Sequence, residues 1–122
     1  MLDFNSILVF SEDPKRLAGF YEKIFQKNPD WTEGDYFGFM VGKGFLTIGP
    51  HDKIKGRNKQ PERMMFNFET RDVKGEFERI KKLGASVIAE PYNPAEDPKA
   101  TIATFADPDN NYFQLMTPWE KK

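Results

Sequence analysis

The feature that constrains this chain most is a repetition at a distance of 59 residues. Ser6 and Met65 each open an apolar, strand-like run at that separation, and Asp13 and Asp72 each stand before an amphipathic helix at the same one. A repeat this long is a duplicated module rather than a solenoid period, in which several shorter units would cover one another's apolar faces. In 122 residues there is room for two such modules and a connector.

Within the first module, "FNSILVF" reads as a strand from Phe4 to Phe10, stopped by "SEDP". Ser11 or Asp13 can cap the helix that follows, and Pro14 falls at or near its first position, where a missing N–H costs nothing. Leu17, Phe20, Tyr21 and Ile24 form one apolar stripe ending before Asn28 and Pro29. "PDWTE" is a short strand, and "DYFGFMV" with "GFLTIG" is a hairpin around Gly42-Lys43-Gly44. The second module repeats the order. "RMMFNFE" is a strand, and Asp72 caps a helix striped by Val73, Phe77, Ile80 and Leu83 and stopped by Gly84. "SVIAE" is a short strand, "PYNPAEDPK" a loop, and "TIATFA" with "NYFQLMT" a hairpin across "DPDNN". The expectation is an α+β protein whose single domain, 1–122, is built from two βαβββ modules, 1–50 and 63–119, with a polar, basic, solvated connector over 51–62.

Composition narrows the function classes. With 18 basic and 19 acidic side chains the net charge is −1, which argues against nucleic acid or an anionic membrane as partner. The absence of cysteine excludes disulfides and thiolate metal sites and fits a reducing compartment. No basic leader segment and no run of membrane-spanning length is visible, so the sequence predicts an unprocessed cytoplasmic protein with no membrane partner. Twelve Phe, four Tyr and two Trp exceed what one small core commonly needs, leaving rings available to line a pocket.

The ordered trio "SEDPKRLAGFYEKIF", "RDVKGEFERIKKLGASV" and "FADPDNNYFQLM" resembles the vicinal oxygen chelate superfamily, the group of glyoxalases, bleomycin resistance proteins and extradiol dioxygenases, over essentially the whole chain. The resemblance implies curved mixed sheets around a cleft, helices on the outer face, and in many members a divalent metal held by four His, Glu or Gln side chains. Carried onto this chain, the ligand positions fall on Ser6, within Gly44 to Gly49, on Met65 and on Gln114. With one amide in place of the imidazole and carboxylate donors such an ion requires, the expectation is no metal and no cofactor. The resemblance also implies a homodimer.

If Ser6, Met65 and Gln114 point inward, so do Leu8, Phe10, Asn67, Glu69, Tyr112 and Met116, while Ile7, Val9, Phe66, Phe68, Phe113 and Leu115 pack under the helices. The inward set, a few polar groups in an apolar and aromatic wall, has the make-up of a small-molecule site. Each member has a plainer reading beside the functional one. Glu69 is a general base, or a strand-end residue reaching solvent or pairing with Arg71 or a lysine. Gln114 and Asn67 contact a ligand, or satisfy each other. Tyr112 and Phe10 stack on a ligand, or pack. His51, the lone histidine, follows Gly49 and Pro50 and reads as an exposed loop residue. The leading expectation is a metal-independent binder of a small molecule. The alternatives are a lyase, isomerase or dioxygenase of the same superfamily, its metal held by His51, Glu69 and Gln114, and a structural or regulatory dimer without ligand.

Overall fold

The structure, a computed structural model, describes residues 1–119. It divides into two compact units, Met1–Gly56 and a second that starts at Arg57. The first unit holds β1 (Ile7–Ser11), α1 (Pro14–Phe25), β2 (Trp31–Glu33), β3 (Tyr36–Val41) and β4 (Gly44–Pro50). The second holds β5 (Met65–Glu69), α2 (Val73–Lys82), β6 (Ser86–Tyr92), β7 (Ile102–Ala106) and β8 (Tyr112–Met116), preceded by a 3₁₀ turn over Pro61–Arg63. Both sheets have four strands and the same order, β1-β4-β3-β2 and β5-β8-β7-β6. In each, the first strand runs parallel to the last and the remaining pairs are antiparallel. This is the expected pair of βαβββ modules.

The duplication reaches individual hydrogen bonds. The Asp13 carboxylate accepts from Arg16 N–H at 3.2 Å, and the Asp72 carboxylate accepts from Gly75 N–H at 3.0 Å. Two residues before each cap, Ser11 Oγ accepts from Asp13 N–H and Thr70 Oγ1 from Asp72 N–H. A short hydroxyl then a carboxylate thus turn the chain from strand to helix in both modules, each satisfying a donor that the helix start leaves open. Of the two cap candidates in the first module, Asp13 takes the role and Ser11 supports it.

Each helix covers one face of its own sheet. In the first unit Leu17, Tyr21 and Ile24 are buried with Val9, Phe39, Leu46 and Ile48, and Phe25 meets Tyr21 and Phe39 at ring-centroid distances of 5.4 Å. In the second, Phe77 of α2 stacks on Phe105 at 5.1 Å, and Phe105 stacks on Phe113 at 5.5 Å.

Several expectations need correcting. β1 begins at Ile7 rather than Phe4, whose ring is 91% exposed because no strand pairs that far back, and Ser6 stands just before the strand. Leu83 is 44% exposed, since α2 has ended and the residue lies in its final, capping turn. β6 continues past "SVIAE" through Pro91 and Tyr92, which an edge strand permits because its outer N–H positions need no partner. The connector is more than a solvated loop: Pro61 is buried, and Asn58 is tied to the β7–β8 turn. Asn58 N–H donates to Asp109 O at 2.8 Å, its Nδ2 donates to Asn111 Oδ1, and Asn110 Nδ2 donates back to Asn58 O. That turn is organised by the buried Asp107 carboxylate, which accepts from the backbone of Asp109 and Asn111, with Asn110 in the left-handed region at φ 67°. No helix among the described residues is long and apolar enough to cross a membrane.

Candidate functional site

Strand pairing in the second unit brings six of the nine sequence-derived residues onto one surface. Met65 is opposite Tyr112, Asn67 opposite Gln114 and Glu69 opposite Met116. On the other side of β8, Ala106, Thr104 and Ile102 pair with Tyr112, Gln114 and Met116. Because alternate residues share a face, these side chains lie opposite the Phe113, Leu115 and Phe105 set that packs against α2. The facing inferred from the alternation therefore holds. The surface is a polar row, Asn67–Gln114–Thr104, between two mainly apolar ones.

Gln114 does not satisfy Asn67. Its Nε2 donates to Thr104 Oγ1 at 3.2 Å, across the hairpin, and Thr104 is only 4% exposed. Asn67 and Glu69 are exposed, while Tyr112, Gln114 and Met116 are half-buried. Glu69 has neither a hydrogen-bond nor an ion-pair partner among the described residues, so of its plainer readings it is the strand-end residue reaching solvent that these residues match.

Ser6, Leu8 and Phe10 belong to the first unit. Leu8 pairs with Thr47, Thr47 with Gly38, and Gly38 with Trp31, a row equivalent to Asn67–Gln114–Thr104 but carrying no amide. Sequence reasoning missed the rings on this sheet. A Cβ at Gly38 would lie 2.7 Å from Phe45 Cζ and 3.2 Å from Trp31 Cε3, and one at Gly49 would run into the Tyr36 ring. Glycine is therefore what lets these rings lie over the backbone. The available signal was a glycine facing inward on each of two aromatic-rich strands. Phe10 packs edge-on against His51 at 5.1 Å, and the His51 side chain is 42% exposed with Nδ1 accepting from Lys53 N–H at 3.1 Å.

The donor set does not fit the divalent metal that the superfamily often carries. By internal register Thr47 is the first-unit counterpart of Gln114, so the four inherited positions offer a serine hydroxyl, a threonine hydroxyl, a thioether and an amide already bonded to Thr104. None brings the negative charge or imidazole nitrogen that holds zinc, manganese or iron. No three His, Cys, Asp or Glu side chains cluster elsewhere among the described residues.

Against known proteins, a glyoxalase-like domain profile matches residues 6–116. No curated protein matches. Among solved structures, the chain is similar to the fosfomycin resistance protein FosX of Listeria monocytogenes complexed with Mn(II) and sulfate, at 21% identity and TM-score 0.76, over 98% of this chain and 92% of that one. It is also similar to a glyoxalase-related enzyme from Fulvimarina pelagi, at 16% identity and TM-score 0.78, over 97% and 89% of the two chains. A third, FosX of Mesorhizobium loti, is 22% identical with TM-score 0.71, over 98% and 95%. At these identities the solved structures speak for the fold alone. With the family profile spanning nearly all of a duplicated βαβββ architecture, the chain belongs to the glyoxalase-like domain family of the vicinal oxygen chelate superfamily.

Proposed function

We propose that this protein binds a small organic molecule on the sheet face of its second unit and does so without a divalent metal. The observation that carries this reading is the Gln114–Thr104 hydrogen bond: the residue standing where relatives commonly place a carboxylate ligand is a neutral amide, fixed by a neighbouring side chain. Around it, Met65, Tyr112 and Met116 supply apolar contact, and Asn67 and Glu69 supply exposed polar groups, so a ligand with an apolar body and a polar head is the natural match. Ser6, Leu8 and Phe10 lie on the first unit and are proposed as ligand contacts of that unit's own sheet. Glu69 is placed as a binding group rather than as a base, because no hydrogen bond or ion pair from a described residue orients it for proton transfer.

The test is a thermal-shift screen of small amphipathic compounds, run with and without a chelator and repeated on Gln114→Ala. The proposal expects at least one compound to raise the melting temperature equally in both conditions, and the shift to shrink in the variant. Shifts that vanish with the chelator and return with Mn(II), the ion with which the FosX structure was solved, would instead favour the reading of a metal-dependent enzyme.

A further inference from the structure

Resting on the reading that the first unit's own sheet contacts a ligand, we infer that this face takes a flat, conjugated ring bearing one polar group: the ring lies against Trp31, Tyr36 and Phe45, and the polar group pairs with the Thr47 hydroxyl. The rings are the first observation. Gly38 leaves room for Phe45 and Trp31 close to the backbone of β3, and Gly49 leaves room for Tyr36 close to β4. Trp31 and Tyr36 remain exposed, so ring surface held near the sheet still meets solvent. The architecture does not require this. By register Ala89, Thr104 and Met116 of the second unit stand where Trp31, Gly38 and Gly49 stand in the first, and the second unit builds the same sheet with them. Aromatic surface beyond what the fold needs is surface for a partner, and ring faces favour flat rings over puckered ones.

The second observation is independent of the rings. Thr47 is only 8% exposed, and its hydroxyl makes no hydrogen bond to any described residue. Its neighbours Leu46 and Ile48 are buried in the core under α1, so alternation turns Thr47 to the opposite face of the sheet. There it pairs with Gly38 and stands two residues before Gly49, between the two glycines that carry the rings. Its counterpart Gln114 is held by Thr104, whereas the equivalent neighbour of Thr47 is Gly38, which has no side chain to offer. A hydroxyl that is nearly buried and unpaired is costly, and a ligand atom that pairs with it removes the cost. Because a hydroxyl both donates and accepts, a carbonyl, a ring nitrogen or a hydroxyl on the ligand each satisfies it. β1, β3 and β4 carry no charged residue, which makes an uncharged ring the match.

Three neutral probes separate the ring from the polar group: acetophenone, cyclohexyl methyl ketone and ethylbenzene, titrated by NMR up to their solubility limits. The readout is the Trp31 indole, told apart from that of Trp119 with Trp119→Phe. Acetophenone should bind roughly threefold to tenfold tighter than the saturated ketone. Thr47→Val should weaken acetophenone about fivefold, leave ethylbenzene within about twofold, and leave the melting temperature no lower, since the hydroxyl bonds nothing in the protein. Gly38→Ala places a methyl group against Phe45 and Trp31, and should bring the two ketones within about twofold of each other. Should that variant fail to fold, Trp31→Leu, at an exposed position, carries the same expectation. Gln114→Ala, on the second unit, should change none of these affinities. A saturated ketone bound as tightly as acetophenone, an equal loss of acetophenone and ethylbenzene in Thr47→Val, or a lowered melting temperature in that variant overturns the inference and leaves binding on the second unit standing. No saturable binding of any probe also overturns the inference, and it overturns the binding proposal as well when no compound in the wider screen raises the melting temperature.

Discussion

Replacing Phe113 by alanine tests the facing of β8, on which the site depends. The ring is 0% exposed and sits between Phe105, stacked at 5.5 Å, and Phe68, edge-on at 5.9 Å. A buried Phe removes at least about 150 Å² from water, which at roughly 25 cal/mol/Å² is about 4 kcal/mol, within the range of about 3 to 5 kcal/mol for Phe-to-Ala changes in cores. Against a total stability of about 5 to 15 kcal/mol, that is a large fraction. The adjacent change, Gln114→Ala, removes one hydrogen bond and leaves Thr104 Oγ1 without it, a cost of about 1 kcal/mol. Urea denaturation of both variants, compared by midpoint at unchanged slope, measures the contrast. A one-residue slip of β8 would exchange the two faces, so a Gln114→Ala loss equal to or greater than that of Phe113→Ala would refute the register and the site built on it.

The two helix caps should behave alike: Asp13→Ala and Asp72→Ala each lower stability by about 1 kcal/mol, and because the residues cap different helices the double variant should lose the sum, as read by urea denaturation. Asp30 carries a pH dependence. Its hydrogen bond from Lys27 and that from Met40 N–H hold its carboxyl below the ordinary value of 3.8. A depressed carboxylate stabilises the fold above its unfolded value and ceases to as pH falls through its folded value. The stability difference between the protein and Asp30→Asn should thus be steady near neutrality and close below pH 3.8 in acid titration, and a difference that persisted there would contradict the assignment. We also propose a homodimer, because exposed Val87, Ile88 and Tyr92 on the edge strand β6 offer apolar surface for a second copy, and sedimentation at micromolar concentration giving a monomer would count against it.

Local chemistry is what the sequence made legible. The caps at Asp13 and Asp72 and the stripes of both helices depend on residues within a turn or two of each other, where spacing alone determines contact, and the duplication shows as the same local pattern 59 residues on. The face of β8 was readable because a strand has period two, and Phe113 and Leu115 are buried as that period requires. What escaped depends on pairing across distance. Gln114 meets Thr104 rather than Asn67 only because of the β7–β8 register, and two amides opposite each other on paired strands give no hint of which neighbour wins. The clasp of Asn58 on Asn110 and Asn111 joins positions more than fifty residues apart, inside a stretch whose polarity alone suggested a free loop. The rings of Trp31, Tyr36 and Phe45 became visible as a group only once Gly38 and Gly49 were seen beneath them.

Native mass spectrometry of the purified protein, combined with elemental analysis after dialysis, tests the central claim most directly. The account predicts no stoichiometric zinc, nickel, iron or manganese, and, where the chain carries a guest, an organic adduct that Gln114→Ala weakens by about 1 to 3 kcal/mol, the cost of an unpaired polar partner. One tightly held metal ion per chain, retained through dialysis, would contradict it.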